Sequence, residues 1–122
     1  EGKLAPCAKA SNCVCSERPE SRAYITPISL NGPPESAWKK AKEVIAAMGG
    51  HIKKEEKGYI WATFFSRFFR FYDDVEMRLS SAQGCIHLRS SSRVGYSDFG
   101  VNRKRVESIR SLYQREQKHT EE

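Results

Sequence analysis

Three runs of strand-type residues lie so close together that they dictate how they must pair. Tyr59 to Phe65 is aromatic and β-branched, Phe71 to Leu79 alternates, and Cys85 to Ser90 alternates again. Only Ser66-Arg67-Phe68-Phe69-Arg70 and Ser80-Ser81-Ala82-Gln83-Gly84 join them. A parallel crossover needs about a dozen residues, usually a helix, so these connections permit only hairpins. The centre of this chain is an antiparallel sheet.

A helix is expected on either side of it. Pro33 and Pro34 provide a rigid start before Glu35 and Ser36, and Trp38, Ala41, Ile45 and Met48 recur at helical spacing. Gly49 and Gly50 end that stripe. A second helix is expected from Asn102 to about Lys118, with Val106, Ile109 and Leu112 or Tyr113 as its apolar stripe. All five prolines fall within residues 1–34, where only Ala23 to Leu30 suits a strand, and Pro27 confines it to an edge. The predicted fold is α+β: a small antiparallel sheet of four to five strands with two helices packed on one face. At 122 residues the chain reads as one domain, 1–122. Residues 1–34 form a Pro/Ser-rich arm, 35–118 the α+β core and 119–122 a frayed tail.

Charge is concentrated. Of a net +6, Arg89, Arg93, Arg103, Lys104, Arg105 and Arg110 stand between residues 89 and 110 against only Asp98 and Glu107. Such a patch suits nucleic acid, anionic headgroups, an acidic protein surface or simply solvent. Cys7, Cys13, Cys15 and Cys85 suggest disulfides in an oxidising compartment. Cys7 with Cys13 closes a short ring easily, and Cys15 with Cys85 is a second candidate pair. No C-x2-C knuckle is present, so no metal and no cofactor is expected. Cys85 and His87 share a strand face, but nothing around them marks an oxyanion hole. No apolar run is long enough to span a membrane. The numbering opens at Glu1 rather than Met, consistent with removal of a leader or tag.

Two residue placements break local rules. Asp73 sits in phase with Phe71, Val75, Met77 and Leu79, on the apolar side of its strand. A carboxylate there needs a partner, either Arg89 or an arginine from residues 93–105. It serves equally as a structural ion pair. The other is Asn102-Arg103-Lys104-Arg105, which sets three cations at a helix start, where the macrodipole disfavours them. The acidic cluster Asp73, Asp74 and Glu76 would compensate, or a bound anion on the free amides. The preceding loop adds Ser92, Arg93, Ser97 and Asp98. The candidate anion site is therefore Ser92, Arg93, Ser97, Asn102, Arg103 and Arg105, beside a polar network of Asp73, Asp74, Glu76, Arg89 and Asp98. No catalytic residue is assigned. In addition, Tyr59, Trp61, Thr63 and Phe65 leave one sheet face aromatic, open to a partner unless residues 1–34 cover it.

These segments carry a resemblance. P-C-A-K-A-S-N-C-V-C-S from Pro6, the Ala37-Trp38 pair, F-R-F-Y-D-D-V-E from Phe69 and L-R-S-S-S-R-V-G-Y-S-D-F-G-V-N-R-K-R-V from Leu88 are similar to motifs of the domain of unknown function 1499 family. The likeness spans roughly Pro6 to Arg110. It implies no established activity. It does imply that Asp73, Asp74, Glu76, Arg89, Ser90, Arg93, Asp98, Asn102, Arg103 and Arg105 occupy motif positions together. It also implies a bacterial or photosynthetic-eukaryotic setting, often with an export or lipoprotein signal, so an extracytoplasmic location (periplasm or an equivalent lumen) is expected. Cys15 departs from the family's usual serine, and Cys85 matches no motif position. The functional expectation is a non-enzymatic binding module for a protein partner or small anionic ligand. A hydrolase-like enzyme using Asp98 or Asp73 is one alternative, and an accessory subunit of a membrane-associated complex is another. Nucleic acid fits poorly, and peripheral membrane association is compatible with the charge.

Overall fold

A computed structural model describes residues 3–66, 70–94 and 97–121, with side chains as far as Arg115. The chain runs β1 (Cys13–Cys15), β2 (Ile28–Ser29), α1 (Pro34–Ala47), β3 (His51–Glu56), β4 (Tyr59–Ser66), β5 (Phe71–Ser80), β6 (Cys85–Ser92) and α2 (Val101–Glu121). The architecture is α+β, and its sheet is antiparallel, ordered β1-β6-β5-β4-β3, with β2 on the same edge of β6 as β1. Six strands stand where four to five were expected.

The extra strands have physical reasons. β3 reads His-Ile-Lys-Lys-Glu-Glu, so it has no apolar alternation to betray it, and it pairs with β4 through its backbone. It is the outer strand, and charged side chains keep such an edge from pairing with other chains. β1 lies inside the cysteine-rich arm and is buried at all three positions, which also hides a period of two. Of the expected Ala23–Leu30 strand, only Ile28–Ser29 is regular. Tyr24 adds an isolated bridge to Cys15. The second helix continues to Glu121, beyond the expected end near Lys118.

Both helices cover one sheet face. Ala37, Trp38, Ala41, Val44 and Ile45 of α1 and Val106, Ile109 and Tyr113 of α2 close a core over Ile60, Ala62, Phe64, Val75, Met77, Ile86 and Leu88. Gly49 takes a φ of +93° just after α1, and a Cβ on Gly50 would stand 2.6 Å from the Phe64 ring. Strand alternation then sends Tyr59, Trp61, Thr63 and Phe65, then Tyr72, Asp74, Glu76 and Arg78, then Cys85, His87, Arg89 and Ser91 to the opposite face.

Candidate functional site

The expected site divides between those two faces. Asp73 and Asp74 are consecutive on β5, so their carboxylates leave the sheet on opposite sides.

On the helix side, Asp73 is 2% exposed and its Oδ2 lies 2.9 Å from Arg105 Nη2. That approach is an ion pair at an angle that falls short of a hydrogen bond, so Oδ2 is left unsatisfied. Burial pushes the Asp73 carboxyl above its ordinary range, and Arg105 and Ser92 only partly offset it. Arg105 also donates to Asn102 Oδ1 at 2.9 Å and lies over the Phe64 ring. Asn102 is fully buried and is the hub. Its Oδ1 accepts from Ser90 Oγ at 2.6 Å, and its Nδ2 donates to Asp98, Ser92 and the Asn12 carbonyl. Asp98 caps α2, taking the amides of Gly100 at 2.8 Å and Asn102 at 3.2 Å. The helix start expected to attract an external anion thus has an internal carboxylate on one of its amides and on that of the residue before it. The cavity bordered by Asp73, Ser92, Ser97 and Asp98 measures about 10 Å³, room for one water.

The N-terminal arm locks this network. A Cys7–Cys13 disulfide closes the expected ring. Within it, the Asn12 carbonyl accepts from the Ser92 amide at 2.9 Å, and the Ser11 carbonyl accepts from the Asp98 amide at 2.9 Å. Asn12 Nδ2 donates to the Val94 carbonyl.

On the other face, Arg93 grips Asp74 with two hydrogen bonds of 2.9 Å and lies over the Tyr72 ring. Trp61 Nε1 donates to the same carboxylate at 2.8 Å, and Phe65 meets Tyr72 edge to face. Burial alone would raise the Asp74 carboxyl, but Arg93 and the Trp61 N–H outweigh it and hold it below its ordinary range. Tyr59 donates to Glu76, which pairs with Arg89 at 3.7 Å. Burial, and then Glu76, push the Tyr59 phenol strongly upward. Tyr59, Trp61, Asp74, Glu76, Arg89 and Arg93 line a shallow depression of about 420 Å³. Arg93 is therefore separated from Asn102 and Arg105 by the thickness of the sheet. Arg103 is exposed and donates to the Tyr24 carbonyl, and Ser97 accepts from the Phe99 amide.

The arm covers only part of this second face. Arg89 donates to the Ala5 carbonyl at 2.8 Å. Beneath it lies a cluster that sequence reasoning missed. Glu17 is buried, grips Arg78 through two hydrogen bonds of 2.7 Å and accepts from the Leu4 amide at 3.0 Å. Burial raises the Glu17 carboxyl, but Arg78 and Leu4 outweigh it and hold it low. Its partners stand 61 and 13 residues away, so no local spacing could announce them. His87 sits beside it. The Leu88 amide donates to Ser16 Oγ, leaving the Ser16 hydroxyl to donate to His87 Nδ1 and the ring's Nε2–H to donate to Gln83. Burial lowers His87 and raises the thiols of Cys85 and Cys15, so Cys85, 3.5 Å from His87 Nε2, stays a neutral thiol beside a neutral ring.

Cys15 and Cys85 are both free, which corrects the second candidate disulfide. Cys15 pairs with Arg89, four residues along β6 from Cys85. Four residues of strand span about 13 Å, twice what a disulfide bridges.

The family of proteins of unknown function DUF1499 matches residues 3–112. The chain belongs to that family. No curated protein matches it in sequence. The DUF1499 match includes both faces of the site and the disulfide ring, and it ends within α2. Among the described residues, no helix is long and apolar enough to cross a membrane.

Proposed function

We propose that this DUF1499 protein is a non-enzymatic binding module whose recognition surface is the open face of the sheet, where Arg93 and Arg89 receive an anionic group of a partner. One observation carries the reading. Trp61, Asp74, Arg93 and Tyr72 hold one another in a fixed constellation on a solvent-facing sheet, with the Arg93 side chain half exposed. Guanidinium groups already oriented by carboxylates lose little freedom when an anion arrives.

The hydrolase-like alternative has weaker support. Asp98 is engaged by the α2 amides and Asn102, and Asp73 faces a cavity with room for one water rather than a substrate. The buried thiols and His87 are shifted away from the charged states that nucleophilic catalysis uses. An oxidising, extracytoplasmic setting is part of the proposal, supported by the Cys7–Cys13 bridge. The start of α2 is the competing location for an anion, with Arg103 and Lys104 exposed there.

Titration of the protein with sulfate, against chloride at matched ionic strength, tests the reading by nitrogen–proton NMR. The Trp61 indole signal should move and the buried Trp38 indole signal should not. Shifts confined to the first turn of α2 would transfer the site to Arg103. No shift in either place would remove the proposal.

A further inference from the structure

Among the described residues, three large apolar side chains are exposed: Phe65 at 47%, Tyr72 at 51% and Phe99 at 78%. All three lie at one end of the molecule. Phe65 and Tyr72 flank the β4–β5 connection, and Phe99 lies in the loop from β6 to α2. Ser66 and Phe71 share a cavity wall with Ser97 and Val101, so the end of β4 and the start of β5 lie beside that loop. Phe65 and Tyr72 emerge from the open face of the sheet, and Phe99 stands in the loop just before α2. They mark a tip rather than line a groove.

The same tip is cationic. Arg70, Arg103 and Lys104 are exposed there. Its carboxylates are each engaged: Asp73 with Arg105, Asp74 with Arg93 and Asp98 with the amides of Gly100 and Asn102. Arg70 and Phe99 are also the non-glycine residues with positive φ among those described, at 60° and 53°. Side chains other than glycine rarely take that backbone, and here it displays a cation and a ring to solvent.

We propose that this tip docks on an anionic lipid surface, with Phe99, Phe65 and Tyr72 entering the headgroup layer and Arg70 and Lys104 meeting lipid phosphates. Aromatic rings ringed by basic residues suit that interface, where apolar burial and attraction to anionic headgroups add. A fluid surface can receive rings and cations carried by separate elements without a preformed complementary shape. The inference is independent of the anion site at Arg93, and either can fail without the other.

The test is flotation with phosphatidylcholine vesicles, with and without phosphatidylglycerol, across a salt series. The protein should float only with the anionic vesicles and should come off as salt rises. Arg70→Glu should weaken partitioning roughly thirtyfold, since each basic residue near such a surface contributes a factor of about five. Phe99→Ser combined with Tyr72→Ser should weaken it roughly tenfold or more through lost apolar burial. Lys57→Glu makes the same charge change at the opposite end and should alter partitioning by no more than about twofold. Melting temperatures near wild type would show that the variants fold. Absence of flotation, or an equal loss in Lys57→Glu and Arg70→Glu, would overturn the proposal. So would a concentration-dependent dimer abolished by Phe99→Ser, which would assign the rings to a second copy of the chain.

Discussion

Asp73 and Asp74 are neighbours in sequence, each 2.9 Å from an arginine, and their carboxyls shift in opposite directions. The difference lies in what surrounds each pair. Asp73 is sealed beneath α2 and reaches Arg105 at a poor angle, so desolvation wins. Asp74 accepts two well-formed bonds from Arg93 and one from Trp61 at the surface, so its partners win. Pairing alone therefore says little about an acid. The helix face uses its charges to fix the start of α2, whereas the open face holds its charges where a partner can reach them.

The most severe way to break this contrast is Asp73→Ala. It strands Arg105, whose side chain is 10% exposed, and should cost about 3–5 kcal/mol in a denaturant melt. A loss below 1 kcal/mol would mean that Asn102 and Phe64 suffice for Arg105, and the two faces would then be energetically alike. Next in size is the ring. Cys7→Ser with Cys13→Ser should cost about 2 kcal/mol by loop entropy. Because the ring holds Ser92 and Asn102, this loss should be non-additive with Asp73→Ala and additive with Asp74→Ala. Additivity with both would show the arm to be independent of the helix-side network.

A pH series sharpens the contrast further. Glu17 and Asp74 are held low when folded, so the stability that they contribute is present above the ordinary carboxylate value and lost as pH falls through their folded values. Asp73 is held high and has the opposite sign. Its unfolded form releases a proton at lower pH than its folded form, so it lowers stability as pH rises from 3.8 to its folded value. In urea melts from about pH 3 to 6, Glu17→Gln and Asp74→Asn should flatten the acid loss. Asp73→Asn should make stability climb more steeply with pH. A flatter Asp73→Asn profile would reverse our assignment. The smallest effect belongs to Asp74→Ala, which should lower the melting temperature only slightly, because its pair with Arg93 is partly exposed. Its Trp61 indole signal should nevertheless move, and an unmoved signal would show that the constellation does not persist in solution.

The central hairpins, both helices and the inward phase of Asp73 were legible from periodicity. Arg105 proved to be one of the arginines named for Asp73, and the Cys7–Cys13 ring followed from its short spacing. What stayed hidden lacks a local signature. β3 is polar at most positions because it is an exposed edge, and β1 is too short and too buried to alternate. Glu17 reads as one more loop acid until the fold brings Arg78 to it. Arg93 and Arg105 look like one basic cluster in sequence, yet the strand's period of two and the turn into α2 send them to opposite faces.

The disulfide ring has a consequence for the order in which this protein is built. Cys7 and Cys13 are six residues apart and can join while the chain is still short. The groups that seat the ring come much later: the Ser92 amide, the Asp98 amide and the Asn102 side chain, the last of them 90 residues beyond Asn12. In a chain made from its N-terminus, the ring is a finished part waiting for nearly everything else. A fragment that ends before α2 would carry the closed ring without Asn102, its partner across 90 residues. Closing the ring thus prepares a contact with a residue 90 positions later, which ties completion of the fold to the meeting of Asn12 and Asn102.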